Sequence, residues 1–350
     1  MKRIVFYLLL WGIIMLSTGC QGKKTDKSDN DQTVTQSINT VKKTAPLVIP
    51  EETQLLLKEL VDNGDYVNSN NYPSLIKASI VHEEIGKNIQ IIDLRSTDKY
   101  ASGHVSGAVN KDFKDLPLYF ETGIRPFEFD KIVIVCDDGS LSSYTTALLR
   151  LMGYGNVYSM RWGMSAWNKD YAEKGWLANV NGKFEQLLEK AVNEKAPGTK
   201  MPELGTGFKT GQEIADSRFK KLFSDGVSNV FVTADEVFAN PSSYYIINLE
   251  RKDKYENGHI PGAIRFKPES TLGFPAEMAS IPIDKPVVVY CGTGHNSGFA
   301  TGFLRLFGYD ARTLRYGNNG FMYNKMVNDK DVLSWLPFTK DEVNDFEVVK

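Results

Sequence analysis

The apolar positions of this 350-residue chain form short continuous runs that alternate with segments of helical spacing. The runs that predict buried strands are residues 80–81, 89–94, 131–135, 157–160 and 287–290. The segments that predict helices are residues 53–61, 82–85, 142–152, 183–193, 211–223 and 298–307. Alternation of strands with helices is typical of α/β domains, so the pattern predicts a central parallel sheet flanked by helices.

The chain also repeats itself at a shift of 155 residues, which places Cys136 on Cys291. Residues 93–154 align without a gap on residues 248–309. The pairs that match include Tyr100 with Tyr255, Gly103 with Gly258, His104 with His259, Gly139 with Gly294, Ser142 with Ser297 and Arg150 with Arg305. One deletion later, Arg161 aligns with Arg315. A repeat of this length is a duplicated domain and not a solenoid unit.

The repeat predicts the domain organisation. We expect one domain over residues 51–178, linking helices over residues 179–226 and a second domain over residues 227–350. A hydrophobic content of 42% is sufficient for two separate cores.

The N-terminus predicts export and lipid anchoring. Lys2 and Arg3 precede an apolar run that is too short to span a membrane comfortably, and the run ends at Cys20. The segment Leu16-Ser17-Thr18-Gly19-Cys20 resembles a bacterial lipoprotein signal, although Ser17 stands where an aliphatic residue is commoner. This resemblance implies that residues 1–19 are removed and that Cys20 carries lipid, which would hold the protein on a bacterial membrane in the cell envelope. A plain secretory signal and an uncleaved anchor are the alternatives.

Residues 20–50 are predicted to be a disordered tether, since residues 21–43 are polar and poor in aromatic side chains. The net charge of −2 argues against a nucleic-acid partner. Of the three cysteines, Cys20 belongs to the signal, and the other two occupy equivalent positions in the repeat. Two thiols without a disulfide framework in an exported protein indicate reactive chemistry. We expect no cofactor. We also expect no zinc site, because His104 and His259 have no second histidine at ligand spacing.

The sequence around Cys291, PVVVYCGTGHNSGF, joins a buried strand to a helix through a glycine-bearing loop. Ser297 is the predicted helix N-cap. Converging backbone N–H groups and the positive end of a helix dipole stabilise a thiolate or a persulfide anion. The alternative is a buried core cysteine that ends a strand.

Both repeats resemble the rhodanese homology domain in their motifs, Asp93-Leu94-Arg95 with Gly103-His104 and Asn248-Leu249-Glu250 with Gly258-His259, and in the six-residue loops after Cys136 and Cys291. The resemblance implies a tandem sulfurtransferase in which the loop cysteine takes sulfane sulfur from a donor such as thiosulfate and passes it to a thiol acceptor. The implied catalytic residues are Cys291 and Cys136. The residues implied to bind the small sulfur-containing anion are Gly292, Thr293, Gly294, His295, Asn296, Ser297 and Arg315.

The chain departs from this family at the loop arginine that binds the anionic donor, because Leu141 and Asn296 occupy its two positions. Asp137 and Asp138 follow Cys136, and acids beside a thiol raise its pKa. The loop after Cys291 contains no acid, and His295 could donate a hydrogen bond or a charge there. We therefore expect Cys291 to be the better nucleophile and Cys136 to be secondary.

Two further interpretations stay open. A rhodanese fold without catalysis would bind a partner protein or a sulfur species at the envelope, as the missing loop arginines suggest. A phosphatase of the rhodanese-like type is disfavoured. The resemblance implies that such a phosphatase has arginine six residues after the cysteine, and this chain has Ser142 and Ser297 at those positions. Arg161 and Arg315 are candidates for anion contact, surface exposure or interdomain pairing.

Overall fold

The computed structural model describes residues 46–268 and 272–350. Within these residues the chain forms two five-stranded sheets. The strands of the first sheet are β1 (Leu75–Ile76), β2 (Ile89–Asp93), β3 (Ala108–Asn110), β4 (Lys131–Val135) and β5 (Val157–Met160). The strands of the second sheet are β6 (Phe231–Val232), β7 (Tyr245–Asn248), β8 (Ile264–Arg265), β9 (Val287–Tyr290) and β10 (Ala311–Leu314).

Both sheets are parallel and share one topology, which confirms the predicted α/β fold of two duplicated domains. The strand orders are β1-β5-β4-β2-β3 and β6-β10-β9-β7-β8. Cys136 and Cys291 follow the central strands β4 and β9, which are buried along almost their whole length. Each thiol therefore lies at the carboxyl edge of a parallel sheet, where such sheets bind ligands.

Helices surround the sheets in both domains. The helices of the first half are α1 (Glu51–Asp62), α2 (Ala78–Glu84), α3 (Thr97–Ser102), α4 (Leu116–Leu118), α5 (Ser140–Leu151), α6 (Met164–Trp167), α7 (Lys169–Lys174) and α8 (Trp176–Asn179). Those that follow are α9 (Gly211–Asp225), α10 (Ala234–Ala239), α11 (Lys252–Asn257), α12 (Pro275–Met278), α13 (His295–Leu306), α14 (Tyr323–Val327) and α15 (Val332–Trp335). None of the described helices is long and apolar enough to cross a membrane.

The two domains meet through the helices that follow the two cysteines. A Cβ atom on Gly298 of α13 would lie 3.1 Å from the Cβ of Ser143 on α5, and one on Gly302 would lie 3.1 Å from the Cβ of Ala147. The small residues let the two helix backbones approach closely. This packing brings the N-termini of both helices, and with them both cysteine loops, to the domain boundary.

The segment that follows each domain packs against the other domain. After the first domain, Asn181 donates its amide to Asn319, and Glu189 exchanges two backbone hydrogen bonds of 2.9 Å with His259. After the second domain, Phe346 donates its amide to Trp167, and Val349 pairs with His104. The described part of the chain from residue 46 onwards is therefore one interlocked unit.

This exchange corrects the prediction of a helix over residues 183–193. Only a short 3₁₀ turn, Glu185–Leu187, forms there. Glu189 is held extended by its pairing with His259, and the Asn193 amide donates to the Tyr255 hydroxyl. These tertiary hydrogen bonds outweigh the weak local helix preference. The other linking helix, predicted over residues 211–223, is confirmed as α9.

The strand predicted at residues 80–81 is also wrong. The edge strand β1 lies at Leu75–Ile76, and residues 80 and 81 belong to α2, where the Val81 amide donates to Lys77. Val81 is buried while Ile80 is 40% exposed, as expected of successive positions on a helix at the surface.

The predicted signal peptide, Cys20 and the tether up to residue 45 lie outside the described residues. The last residues assigned to the tether are fixed in place, because Val48 exchanges backbone hydrogen bonds with Thr199 and Met201.

Candidate active site at the two cysteine loops

The loop after each cysteine ends in a glycine that begins the following helix. Gly294 has a φ of +82° and its carbonyl accepts the Gly298 amide, so α13 starts at His295. Gly139 has a φ of +88° and plays the same part for α5. The prediction of Ser297 as the N-cap is therefore wrong, since the left-handed Gly294 caps α13 three residues earlier, and Gly139 has the same position relative to Ser142.

Both thiols are enclosed by backbone N–H groups. The Cys136 sulfur lies 3.1 Å from the Gly139 amide nitrogen and 3.3 Å from that of Ser142. The Cys291 sulfur lies 3.2 Å from the Gly294 amide nitrogen. The hydroxyls of Ser142 and Ser297 lie 3.4 and 3.8 Å from their respective sulfurs. The donors and the adjoining helix N-terminus can stabilise an anion on either sulfur.

Burial opposes this stabilisation. Cys136 and Cys291 are only 3% and 4% exposed. Burial, followed by the charges of Asp138 and Asp137, raises the pKa of the Cys136 thiol to about 12. Burial, followed by the charge of Glu250, raises the pKa of the Cys291 thiol. Both resting thiols are therefore protonated near neutral pH.

A left-handed turn supports each loop from behind. Trp162 and Tyr316 have φ values of +66° and +63°, and each is followed by a glycine with positive φ. This turn lets the Met164 and Asn318 amides donate to the carbonyls of Cys136 and Cys291, at 2.9 and 3.0 Å. A Cβ atom on either glycine would collide with the cysteine carbonyl. Sequence reasoning missed this support, although the repeated Arg-aromatic-Gly triplets at residues 161–163 and 315–317 were its signal.

His295 does not face the Cys291 thiol as expected. Its Nε2 donates to the main-chain carbonyl of Asp138 in the other loop, at 3.0 Å. The ring is fully buried beside Trp162 and Trp176. Burial lowers the pKa of His295 to about 4, so the imidazole is neutral at pH 7 and supplies no charge to Cys291.

Arg315 also contacts the cysteine loop of the other domain. Its Nη2 lies 3.0 Å from Oδ2 of Asp138. The other loop acid, Asp137, pairs with Lys99 at 2.7 Å. Both acids beside Cys136 are therefore paired with cations, and one of these cations comes from the second domain. The expectation that Cys291 is the better nucleophile rested on uncompensated acids beside Cys136 and on a contribution from His295. In the structure both acids are paired, and His295 bonds to the other loop.

Glu250, a buried acid beside the Cys291 loop, makes no ion pair within the described part of the chain. It stands where the first domain has Arg95, whose guanidinium makes a buried ion pair of 2.6 Å with Asp93. The Glu250 carboxylate is buried, accepts from Asn318 Nδ2 at 3.1 Å and lies beside the Gly292 amide. Burial raises the pKa of Glu250 to about 8. The sequence places Glu250 only within the repeated motif, opposite Arg95, and does not predict its approach to the thiol loop.

The other residues predicted to bind the donor have mainly structural contacts. Gly292 accepts from the Asn319 side chain at 2.8 Å. The Thr293 hydroxyl accepts the His295 amide at 3.2 Å, and the Ser297 hydroxyl bonds that of Thr313 at 2.6 Å. Asn296 lines a small cavity with apolar residues, and its carbonyl accepts from the Tyr72 hydroxyl. The described residues contain no group of three His, Cys, Asp or Glu side chains placed to hold a metal ion.

Comparison with known proteins agrees with the duplicated architecture. The family model of the rhodanese-like domain matches residues 77–170 and again residues 233–323. Together the two matches cover more than half of the chain.

Three relatives have low sequence identity to this chain. The thiosulfate sulfurtransferase of Pseudomonas aeruginosa is 26% identical over 286 residues, which cover 71% of this chain and 95% of that protein. The 3-mercaptopyruvate sulfurtransferase of Escherichia coli strain K12 is 26% identical over 247 residues, 59% of this chain and 79% of that protein. A tRNA uridine(34) hydroxylase of Buchnera aphidicola is 24% identical over 146 residues, 39% of this chain and 47% of that protein.

Proposed function

Because this chain belongs to the rhodanese-like domain family and carries two copies of the domain, we propose that it is a sulfurtransferase that works through a cysteine persulfide. The observation that carries the proposal is the cradle of backbone amides around each thiol, at 3.1–3.3 Å from the Cys136 sulfur and 3.2 Å from the Cys291 sulfur. Two relatives named as sulfurtransferases extend along most of their own length in the alignment, which favours the same activity here.

The reaction can be written with thiosulfate as donor. The cysteine sulfur attacks the outer sulfur of the donor, the S–S bond of thiosulfate breaks, and sulfite leaves with the bonding electron pair. The thiol proton leaves with sulfite as hydrogen sulfite, and the cysteine is left as a persulfide anion. An acceptor thiolate then takes the outer sulfur and the cysteine thiolate is regenerated. The amide cradle and the helix N-terminus stabilise the anionic states, in which the charge lies on sulfur.

The test is the labile sulfur that the protein holds after incubation with thiosulfate or polysulfide. Wild type should release cyanolysable sulfur, Cys136→Ser and Cys291→Ser should each release less, and the double variant should release none. Mass spectrometry of the two cysteine peptides should show the added sulfur directly. Wild type with no labile sulfur from any donor would contradict the proposal and favour a binding module without catalysis.

We further propose that the enzyme acts at a bacterial cell envelope, held by lipid on Cys20. The support is the lipoprotein-like segment at residues 16–20. Cys20→Ser should abolish incorporation of labelled fatty acid and shift the protein out of the membrane fraction or leave it unprocessed. Unchanged processing and membrane association in this variant would contradict the anchor and leave the sulfur chemistry unaffected.

A further inference from the structure

The carboxylate of Asp138 connects the Cys136 thiol with a cation from the other domain. Its Oδ1 lies 3.8 Å from the Cys136 sulfur and accepts the Ser140 amide at 2.9 Å. Its Oδ2 lies 3.0 Å from Nη2 of Arg315. One fixed side chain therefore spans the thiol and the guanidinium.

Arg315 has N–H donors that the ion pair with Asp138 does not use. A guanidinium carries five N–H groups, and the ion pair with Asp138 is made through Nη2. The Nε of Arg315 is buried without a hydrogen-bond partner among the described residues. The Arg315 side chain is 41% exposed, whereas that of Asp138 is 3% exposed. The guanidinium thus reaches from the buried loop to solvent.

The Cys291 loop has a different charge environment. Its neighbouring acid, Glu250, has no ion pair among the described residues, and the nearby Lys254 is held by Asp329 at 2.9 Å. Arg161 is the counterpart of Arg315 in the first domain, and its guanidinium lies over the ring of Trp162, 5.2 Å from the centroid. No salt bridge to Arg161 occurs in the described part of the chain. The two loops are therefore not equivalent toward an anion.

We infer that Arg315 is the donor-binding cation of the Cys136 site, so that the first-domain thiol acts on a small sulfur oxyanion in a site completed by the second domain. This inference rests on the proposed sulfur transfer. It assigns to Arg315 the charge that Leu141 cannot supply within the loop. A guanidinium beside the leaving sulfite would stabilise its developing charge through charge-assisted hydrogen bonds.

The first test does not depend on catalysis. Iodoacetate is an anion and iodoacetamide is neutral, so the ratio of their alkylation rates at one thiol measures the local attraction for anions. Local opening of the buried loop affects both reagents and cancels in the ratio. In Arg315→Gln the ratio should fall about tenfold at Cys136, the effect of losing one charge-assisted contact. It should stay unchanged at Cys291.

Matched variants separate the local charge from folding effects. Arg161→Gln removes the equivalent charge of the first domain and should leave the ratio of alkylation rates at Cys136 unchanged. Arg315→Lys keeps a positive charge and should lower this ratio less than Arg315→Gln does. Asp138→Asn removes the paired acid without leaving a buried charge, and it should raise the ratio at Cys136. An unchanged ratio at Cys136 in Arg315→Gln, or an equal fall at both thiols, would overturn the inference.

The second test addresses the donor. With thiosulfate, Arg315→Gln should slow the appearance of persulfide on the Cys136 peptide about tenfold, and Arg161→Gln should not. If the Cys136 peptide of wild type gains persulfide at a rate that Arg315→Gln does not change, the inference fails although the proposed function stands. If neither cysteine of wild type gains sulfur from any donor, the proposed function fails, and the alkylation ratio still decides whether Arg315 forms an anion site.

Discussion

The imidazole of His295 donates a hydrogen bond of 3.0 Å from Nε2 to the main-chain carbonyl of Asp138 across the domain boundary. Asp138 lies two residues after Cys136, and His295 lies four residues after Cys291. A Cβ atom on the intervening Gly139 would collide with the imidazole, so this approach requires glycine. The two thiol loops are consequently in direct contact across the domain boundary.

The first prediction concerns the pH dependence of stability through His295. Burial lowers its folded-state pKa to about 4, whereas an unfolded histidine has a pKa of about 6.5. The unfolded chain therefore binds the proton first as pH falls, and the stabilisation present above about pH 6.5 is lost toward pH 4. Between pH 7 and pH 5, wild type should lose about 2 kcal/mol of unfolding free energy relative to His295→Gln. Urea unfolding of both proteins measures this, and parallel pH profiles would contradict it.

The second prediction is the opposite pH dependence at Glu250. Its folded-state pKa is raised to about 8 by burial, so the unfolded chain loses the proton first as pH rises. The stabilisation is complete below about pH 4.5 and is lost toward pH 8. Relative to Glu250→Gln, wild type should lose about 3 kcal/mol of unfolding free energy between pH 5 and pH 8.

Cys291 provides a second measurement for this variant. Because the Glu250 charge opposes the thiolate, Glu250→Gln should increase the rate at which iodoacetamide modifies Cys291 at pH 8. Glu256→Gln, at an exposed position of the following helix α11, is the control. It should change neither the pH dependence of the unfolding free energy nor the modification rate of Cys291. A variant that unfolds more easily than wild type at pH 8 would show that the carboxylate is stabilising.

The third prediction uses the two glycines behind the loops. In Gly163→Ala and Gly317→Ala the new methyl group would collide with the carbonyl of Cys136 or Cys291, and both positions have positive φ. Each substitution should cost about 3 kcal/mol or more and should reduce sulfur loading mainly at its own cysteine. Gly155→Ala, where a Cβ meets nothing within 4 Å, is the control. Equal loss of loading at both thiols from either variant would show that the turns do not act on their loops separately.

The fourth prediction concerns the exchanged terminal segments. Phe346 stacks on His82 at 3.9 Å and contacts Trp167 of the first domain, while Phe184 stacks on Phe238 of the second at 4.2 Å. Replacing either half-buried ring by alanine should cost about 2–3 kcal/mol. In hydrogen-exchange experiments Phe346→Ala should lower protection in β4 more than in β9, and Phe184→Ala should do the reverse. Uniform loss of protection would mean that the domains unfold only together.

The sequence alone was sufficient to predict the fold class and the position of both thiols. Buried β-branched runs such as residues 131–135 and 287–290 specify strands locally, and the shift that places Cys136 on Cys291 makes each domain evidence for the other. The glycine-bearing loops also follow from local chain geometry, because a strand, a cysteine and a glycine before a helix need no distant contact to be recognised.

Only the tertiary structure decided which groups surround each thiol. Arg315 and His295 belong to the same domain as Cys291, yet Arg315 makes an ion pair with Asp138 and His295 a hydrogen bond with it, in the loop of the other domain. Glu250 approaches the Cys291 loop from a different strand, and Glu189 is extended because His259 pairs with it. Charge compensation and backbone pairing between segments far apart in the chain depend on how the two domains pack. Local sequence patterns do not predict that packing, because its energy comes from contacts that exist only in the folded chain.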